Sequence, residues 1–181
     1  MVKTILIQIK MSEQNININP PVFSETTEVW SILSSVNDPE IPVLSILDLG
    51  IVRDVKIHGE LLEVIITPTY SGCPAMDFIS VNIKQALSEN DFENIKITHQ
   101  LSPAWTTDWM TDEGKQKLKA FCIAPPVGKS FDKNYLENLE IECPHCHSFN
   151  TQVISQFGST ACKALYQCNG CGEPFDYFKC H

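Results

Sequence analysis

IVRDVKIHGELLEVIITPTYSGCP, residues 51–74, is the stretch that decides the fold. Two runs rich in β-branched residues, IVRDVKI and LLEVIIT, flank His58-Gly59-Glu60, a separation that suits a tight hairpin turn. The pair predicts two antiparallel strands. Six residues past the end of the second run stands a cysteine followed by proline, and proline is well tolerated in the first turn of a helix. Cys73 is therefore expected at or beside a helix N-terminus, where unpaired amides and the positive end of the helix dipole favour a thiolate. The competing reading of Cys73 is a small buried apolar residue.

On the N-terminal side, Val29, Ile32, Leu33 and Val36 fall at the spacing of a helix that buries one face, with Ser24 as its N-cap. Asn37-Asp38-Pro39 is turn chemistry that ends it. The polar segment before Ser24 reads as a flexible arm over residues 1–23, and either Met1 or Met11 can serve as the start. On the C-terminal side, Met76, Ile79, Ile83 and Leu87 mark a second helix, and residues 93–101, ENIKITHQL, alternate like a third strand. The order α-β-β-α-β predicts an α+β fold, a small two-layer sandwich with its helices on one face of the sheet. A short helix capped by Thr111 and carrying Leu118 and Phe121 completes a unit over residues 24–124. Trp105 and Trp109 pack against the sheet or anchor a protein interface. Pro125-Pro126 open a polar linker over 125–140, and Gly128-Lys129-Ser130 within it is no phosphate loop, since Ile123 occupies the position of the first glycine.

Thirteen basic residues stand against twenty-two acidic ones, a net charge of -9, and Arg53 is the one arginine. That balance offers no basic track for nucleic acid. No run approaches the roughly 18 apolar residues of a membrane helix, and the first ten residues are too short for a signal peptide. A cytoplasmic location is expected. There, eight cysteines imply metal or thiol chemistry ahead of disulfides.

The last 41 residues, 141–181, carry CPHC and CNGC, so that Cys143, Cys146, Cys168 and Cys171 form two knuckles. Each knuckle wraps two thiolates around one face of an ion, and the two together complete a tetrahedron. A unit this small buries little core, so the ion would supply folding energy. Zn2+ is the first expectation, with a rubredoxin-like iron site or an iron-sulfur cluster sharing the same ligand set. The intervening residues read as two strands broken at Phe157-Gly158-Ser159, with Cys162 a buried small residue. Cys180 and His181 are either extra ligands or a frayed terminus.

Residues 36–57, VNDPEIPVLSILDLGIVRDVKI, and 64–74, VIITPTYSGCP, resemble the small domain of iron-sulfur assembly factors, the family that includes SufT. Residues 102–126, SPAWTTDWMTDEGKQKLKAFCIAPP, and 159–181, STACKALYQCNGCGEPFDYFKCH, are similar to the PaaD family, the D components of bacterial phenylacetyl-CoA epoxidase systems. The resemblance spans residues 25–181. It implies a cytoplasmic accessory subunit of aerobic phenylacetate breakdown, required by the oxygenase without being an enzyme itself, and assisting assembly of a di-iron or iron-sulfur centre. It implies the other subunits of that complex as partners, leaves a homodimer open, and maps candidate iron or cluster handling to Cys73, Asp38 and Glu40. Cys122 departs from the pattern, which has glycine before IAPP. A purely structural interaction module with a zinc site is the alternative. A thiol enzyme lacks an identifiable base or resolving cysteine.

Overall fold

The computed structural model describes residues 25–127, 136 and 139–179. The Ser24 cap, the arm 1–23 with both candidate starts, Gly128-Lys129-Ser130, most of the linker, Cys180 and His181 lie outside the described residues.

Helix α1, Glu25–Leu33, buries Val29 and Leu33, with Ile32 nearly as deep. Strands β1, Val52–His58, and β2, Leu61–Ile66, pair antiparallel through a two-residue turn in which Gly59 has φ 62° and His58 faces Leu61. Helix α2, Ala75–Ser88, carries the chain back so that β3, Ile95–His99, joins β2 in parallel. The sheet order is β1-β2-β3. Val29 and Leu33 of α1 and Met76, Ile79, Ile83 and Leu87 of α2 share one core with the strand residues Val55, Leu62, Val64 and Ile66. The helical periodicity seen in the sequence is the burial pattern of the fold.

Residues 34–51 form no helix or strand, yet bury Val36, Ile41, Leu44, Ile46, Leu49 and Ile51. Buried irregular backbone needs hydrogen-bond partners, and two aspartates supply them. Asp38 Oδ1 accepts the amides of Glu40 and Ile41, each at 2.8 Å. Asp48 Oδ2 accepts the Ser45 amide at 2.9 Å, the Ser45 hydroxyl at 2.8 Å and Lys117 Nζ at 2.9 Å. Burial opposes ionisation of Asp48, but the Lys117 and Ser45 hydrogen bonds outweigh it and hold the carboxyl below its ordinary value. Asp48 thus ties the loop to helix α3, Asp112–Ala120, which Thr111 caps by accepting the Gly114 amide at 2.9 Å.

The indole N–H of Trp105 donates to Leu49 O at 2.9 Å, and the ring is 3% exposed, so packing explains Trp105. Trp109 is partly buried, with the Arg53 guanidinium 3.5 Å from its ring centre. Phe121, expected to be carried by helix α3, falls just past its last residue. It is the C-cap of α3 and 52% exposed.

The next residue, Cys122, has φ 60° at the position after a helix C-cap where glycine usually stands. The side chain is exposed, so the backbone alone decides the effect of changing it. Cys122→Gly is expected to stabilise the chain by about 1 kcal/mol, read from the urea midpoint at fixed metal loading. An unchanged or lowered midpoint would count against strain at this position.

Strand β4, Ile123–Ala124, expected to close the first unit, instead pairs in parallel with β7, Pro174–Phe178, a strand the sequence does not announce. With β5, Thr151–Ser155, and β6, Lys163–Cys168, they make a second sheet of order β4-β7-β6-β5. Its own core holds Ala124, Ile141, Ala164, Tyr166, Phe175 and Tyr177. Cys162 and Phe178 belong to the first core instead, where Phe178 meets Trp105 edge-on with ring centres 6.2 Å apart. The second sheet therefore takes its edge strand β4 from the segment that follows α3, and an apolar seam packs the two units together. No helix among the described residues is long and apolar enough to cross a membrane.

Candidate metal centre and thiol cavity

The two knuckles repeat one backbone design. The amide of His147 donates to Cys143 O at 2.9 Å, and that of Gly172 to Cys168 O at 2.8 Å. The amides of Cys143 and Cys168 donate to Ser148 O and Glu173 O at 2.9 and 3.0 Å. Each knuckle turns out through a residue of positive φ, His147 at 62° and Gly172 at 81°. The result gathers Cys143, Cys146, Cys168 and Cys171 with their sulfurs all within 4.8 Å of one another.

Four sulfurs placed about 2.3 Å from one tetrahedral ion stand about 3.8 Å apart. The Cys143–Cys171 and Cys146–Cys168 sulfur pairs lie at 3.9 and 3.5 Å, so the set fits a tetrahedral metal. The Cys171 amide, assisted by that of Gly170, lowers the Cys168 thiol to about 6 against the desolvation that opposes it. At Cys146 the Ser148 amide favours the thiolate, yet the neighbouring sulfurs, Cys168 foremost, push the thiol up to about 12. A divalent ion held by Cys143, Cys146, Cys168 and Cys171 would relieve that crowding by binding all four as thiolates.

A second arrangement lies where the ribbon meets the first unit. Asp38, Glu40, Cys73 and Cys162 line one cavity of about 20 Å³, closed by apolar walls that include Leu49 and Phe178. Gly72, φ 81°, turns the chain after β2 so that the Cys73 amide donates to Tyr70 O at 3.3 Å. Pro74 is the N-cap of α2, which places Cys73 one residue ahead of the cap. The expected readiness to ionise is overturned. Burial pushes the Cys73 thiol above its ordinary value, hydrogen bonds from the Ala75 amide and Tyr70 only partly compensate, and the nearby Glu40 and Asp38 carboxylates push it further.

Asp38 is a turn former and a cavity residue at once. Its Oδ1 holds the loop, and burial raises its pKa despite those two amide bonds. Glu40 Oε2 accepts the Cys162 thiol at 3.6 Å. Burial raises the Cys162 thiol to about 11, with the Thr160 hydroxyl 3.0 Å away pulling it down and Glu40 pushing it up.

The model of the PaaD zinc beta ribbon domain matches residues 129–179, and that of the iron-sulfur cluster assembly protein family matches residues 26–94. Over 163 residues, 90% of this chain and 96% of the relative, the sequence is 50% identical to an Escherichia coli protein named as the D component of 1,2-phenylacetyl-CoA epoxidase. The chain belongs to the PaaD family. This PaaD-family chain is also 33% identical, over 53% of its length and 93% of the relative's, to an Fe-S protein maturation auxiliary factor of Porphyromonas gingivalis. A solved domain of unknown function, DUF59, from Bacillus anthracis is similar at 28% identity and a TM-score of 0.48, covering 51% of this chain and 89% of that one.

Local sequence places Cys162 of this PaaD-family chain as a buried residue of its own strand. It is buried, but against the other unit, and no spacing in the sequence links it to Glu40, 122 positions away.

Proposed function

We propose that this chain is a cytoplasmic, non-catalytic accessory subunit of the multicomponent phenylacetyl-CoA epoxidase that assists assembly of its di-iron or iron-sulfur centre. The ribbon holds a structural Zn2+ through Cys143, Cys146, Cys168 and Cys171, and iron or a cluster passes as cargo through the site formed by Cys73, Asp38 and Glu40. The chain presents these residues to other subunits of the complex, singly or as a homodimer. Kinship supports the reading from both ends, since an epoxidase component matches nearly the whole chain and a maturation factor matches its first half. The observation that carries it is the meeting of Cys73, Asp38 and Glu40 at one cavity despite their separation in sequence.

A second reading, a purely structural interaction module, draws on the raised pKa of Cys73, which leaves the thiol protonated at neutral pH. Cys73→Ser separates the two. The variant is expected to fold with an intact ribbon, and oxygenase matured beside it in the cell to contain roughly tenfold less iron, by elemental analysis of the purified complex. Full iron occupancy with the variant would leave the structural module standing.

A further inference from the structure

A larger depression opens beside the thiol cavity and shares Asp38 with it. It holds about 500 Å³ and lies between α2 and the loop that follows α1. We propose that this groove docks an extended, lysine- or arginine-bearing segment of the oxygenase component that receives the metal. The inference rests on the maturation reading and adds to it the surface that the recipient occupies and the chemistry that selects it.

The charge of the groove has one sign. Asp38 on the loop and Glu89 on α2 line it, and no lysine or arginine does. The cations of the first unit are engaged elsewhere, Lys56 with Asp54, Lys96 with Glu63, Lys117 with Asp48 and Lys119 with Glu142, while Arg53 lies over Trp109. Lys84, two residues from Asn82, projects from the opposite side of α2. Asp38 is 9% exposed, and only its Oδ1 accepts hydrogen bonds among the described residues, from the Glu40 and Ile41 amides. Lys163, whose field reaches Asp38, is itself held by Asp176 at 3.4 Å. A carboxylate so deep with one oxygen idle carries a desolvation cost that an entering ammonium or guanidinium group offsets.

The walls suit a polypeptide. Small-molecule sites are mostly apolar. This groove presents the side-chain amides of Asn37 and Asn82, which have no partner among the described residues, and Gln85, which donates to Glu89 Oε1 at 2.9 Å and keeps its own oxygen open. Each amide offers a donor and an acceptor, the pair that an extended backbone needs. Phe78, one turn before Asn82 on the same side of α2, is 68% exposed and gives the segment an apolar face at the end of the helix nearest Cys73. A cation at Asp38 draws the carboxylate's charge toward itself and weakens the two amide bonds that hold Glu40 at the thiol cavity. Docking is thereby felt at the cargo site without anything entering it.

The test uses the full 15N-labelled chain with its four-cysteine centre filled by zinc, and overlapping synthetic peptides that tile the oxygenase subunits. At least one lysine- or arginine-bearing peptide is expected to bind and to shift the backbone amides of Glu40 and Ile41 and the side-chain amides of Asn37 and Asn82. Replacing its cation by glutamine should weaken binding roughly tenfold. Glu89→Lys stands at an exposed helix C-terminus, where a cation suits the dipole, so folding is not at stake. It should abolish binding of that peptide and create binding of the same peptide with glutamate in place of its cation. The proposal is overturned if no tiled peptide shifts those amides, or if the peptides that bind are indifferent to loss of their cation or to Glu89→Lys. In the cell, oxygenase matured beside Glu89→Lys should be depleted of iron. Full oxygenase iron with Glu89→Lys, alongside its loss with Cys73→Ser, sinks this inference alone and leaves the maturation reading intact.

Discussion

Removing the metal from the four-thiol centre is expected to unfold residues 141–179 while the first sheet and its helices stay folded. The ribbon's own core is limited to side chains such as Ile141, Ala164, Tyr166, Phe175 and Tyr177, and a unit of about forty residues rarely stands on such a core alone. Against it stand the crowding of four sulfurs within 4.8 Å and a left-handed backbone at His147. Structural zinc supplies about 10–16 kcal/mol in isolated fingers, as much as the whole stability of an ordinary domain. Chelation, or Cys143→Ser, should therefore abolish the near-ultraviolet dichroism of Tyr166 and Tyr177 and collapse the amide dispersion of residues 143–172. The pairing of β4 with β7 and the contact of Phe178 with Trp105 tether the ribbon to a folded neighbour, so the chain should remain soluble and half-structured. A metal-free ribbon that keeps its native amide spectrum would show that packing alone holds the knuckles.

The contrast between the two thiol sites shows which structure a sequence discloses. The knuckles are local: paired ligands with two residues between them, closed by bonds within five residues, so spacing alone names all four cysteines. The cavity is assembled across the chain. Asp38 and Glu40 come from a loop, Cys73 from the turn between β2 and α2, and Cys162 from the ribbon, and no short-range pattern ties them. Cys73 shows the same limit in its electrostatics. Its place ahead of a helix is readable, but the burial that outweighs the helix end involves partners distant in sequence, with Leu49, Phe178 and Cys162 among the residues around it.

The secondary structure divides along the same line. Helices α1 and α2 and the β1–β2 hairpin are legible because each buries a periodic face against one core. The parallel direction of β3 and the two-residue β4 are set by partners distant in sequence, and β7 follows a knuckle in a stretch, GEPFDYFKC, with proline and glycine at its start. Periodicity places Phe121 on a helix that ends one residue before it.

Gly50→Ala is expected to cost about 3–5 kcal/mol, enough to unfold the chain near body temperature. Gly50 has φ 65°, and a Cβ there would lie 2.1 Å from Trp109 O and 2.6 Å from Trp109 C. Both obstacles are backbone, so no rotamer relieves them, and the turn at Thr107–Trp109 must move away from the loop. That movement strains the Trp105–Leu49 hydrogen bond, the Arg53–Trp109 stack and the Lys117–Asp48 ion pair together. It also withdraws Trp105 from Phe178, loosening the seam on which the thiol cavity depends. Gly59→Ala is the control: φ is 62° but nothing lies within 4 Å, so only the backbone preference of about 1–2 kcal/mol is lost. Urea unfolding of both variants with the metal centre saturated isolates the steric part. Should Gly50→Ala lose no more than Gly59→Ala, the approach of Trp109 to the loop is not the constraint that fixes glycine there. A larger loss for Gly50→Ala, accompanied by weaker docking of the ribbon, identifies the glycine of the D-L-G step as the contact that lets the tryptophan segment carry the second unit onto the first.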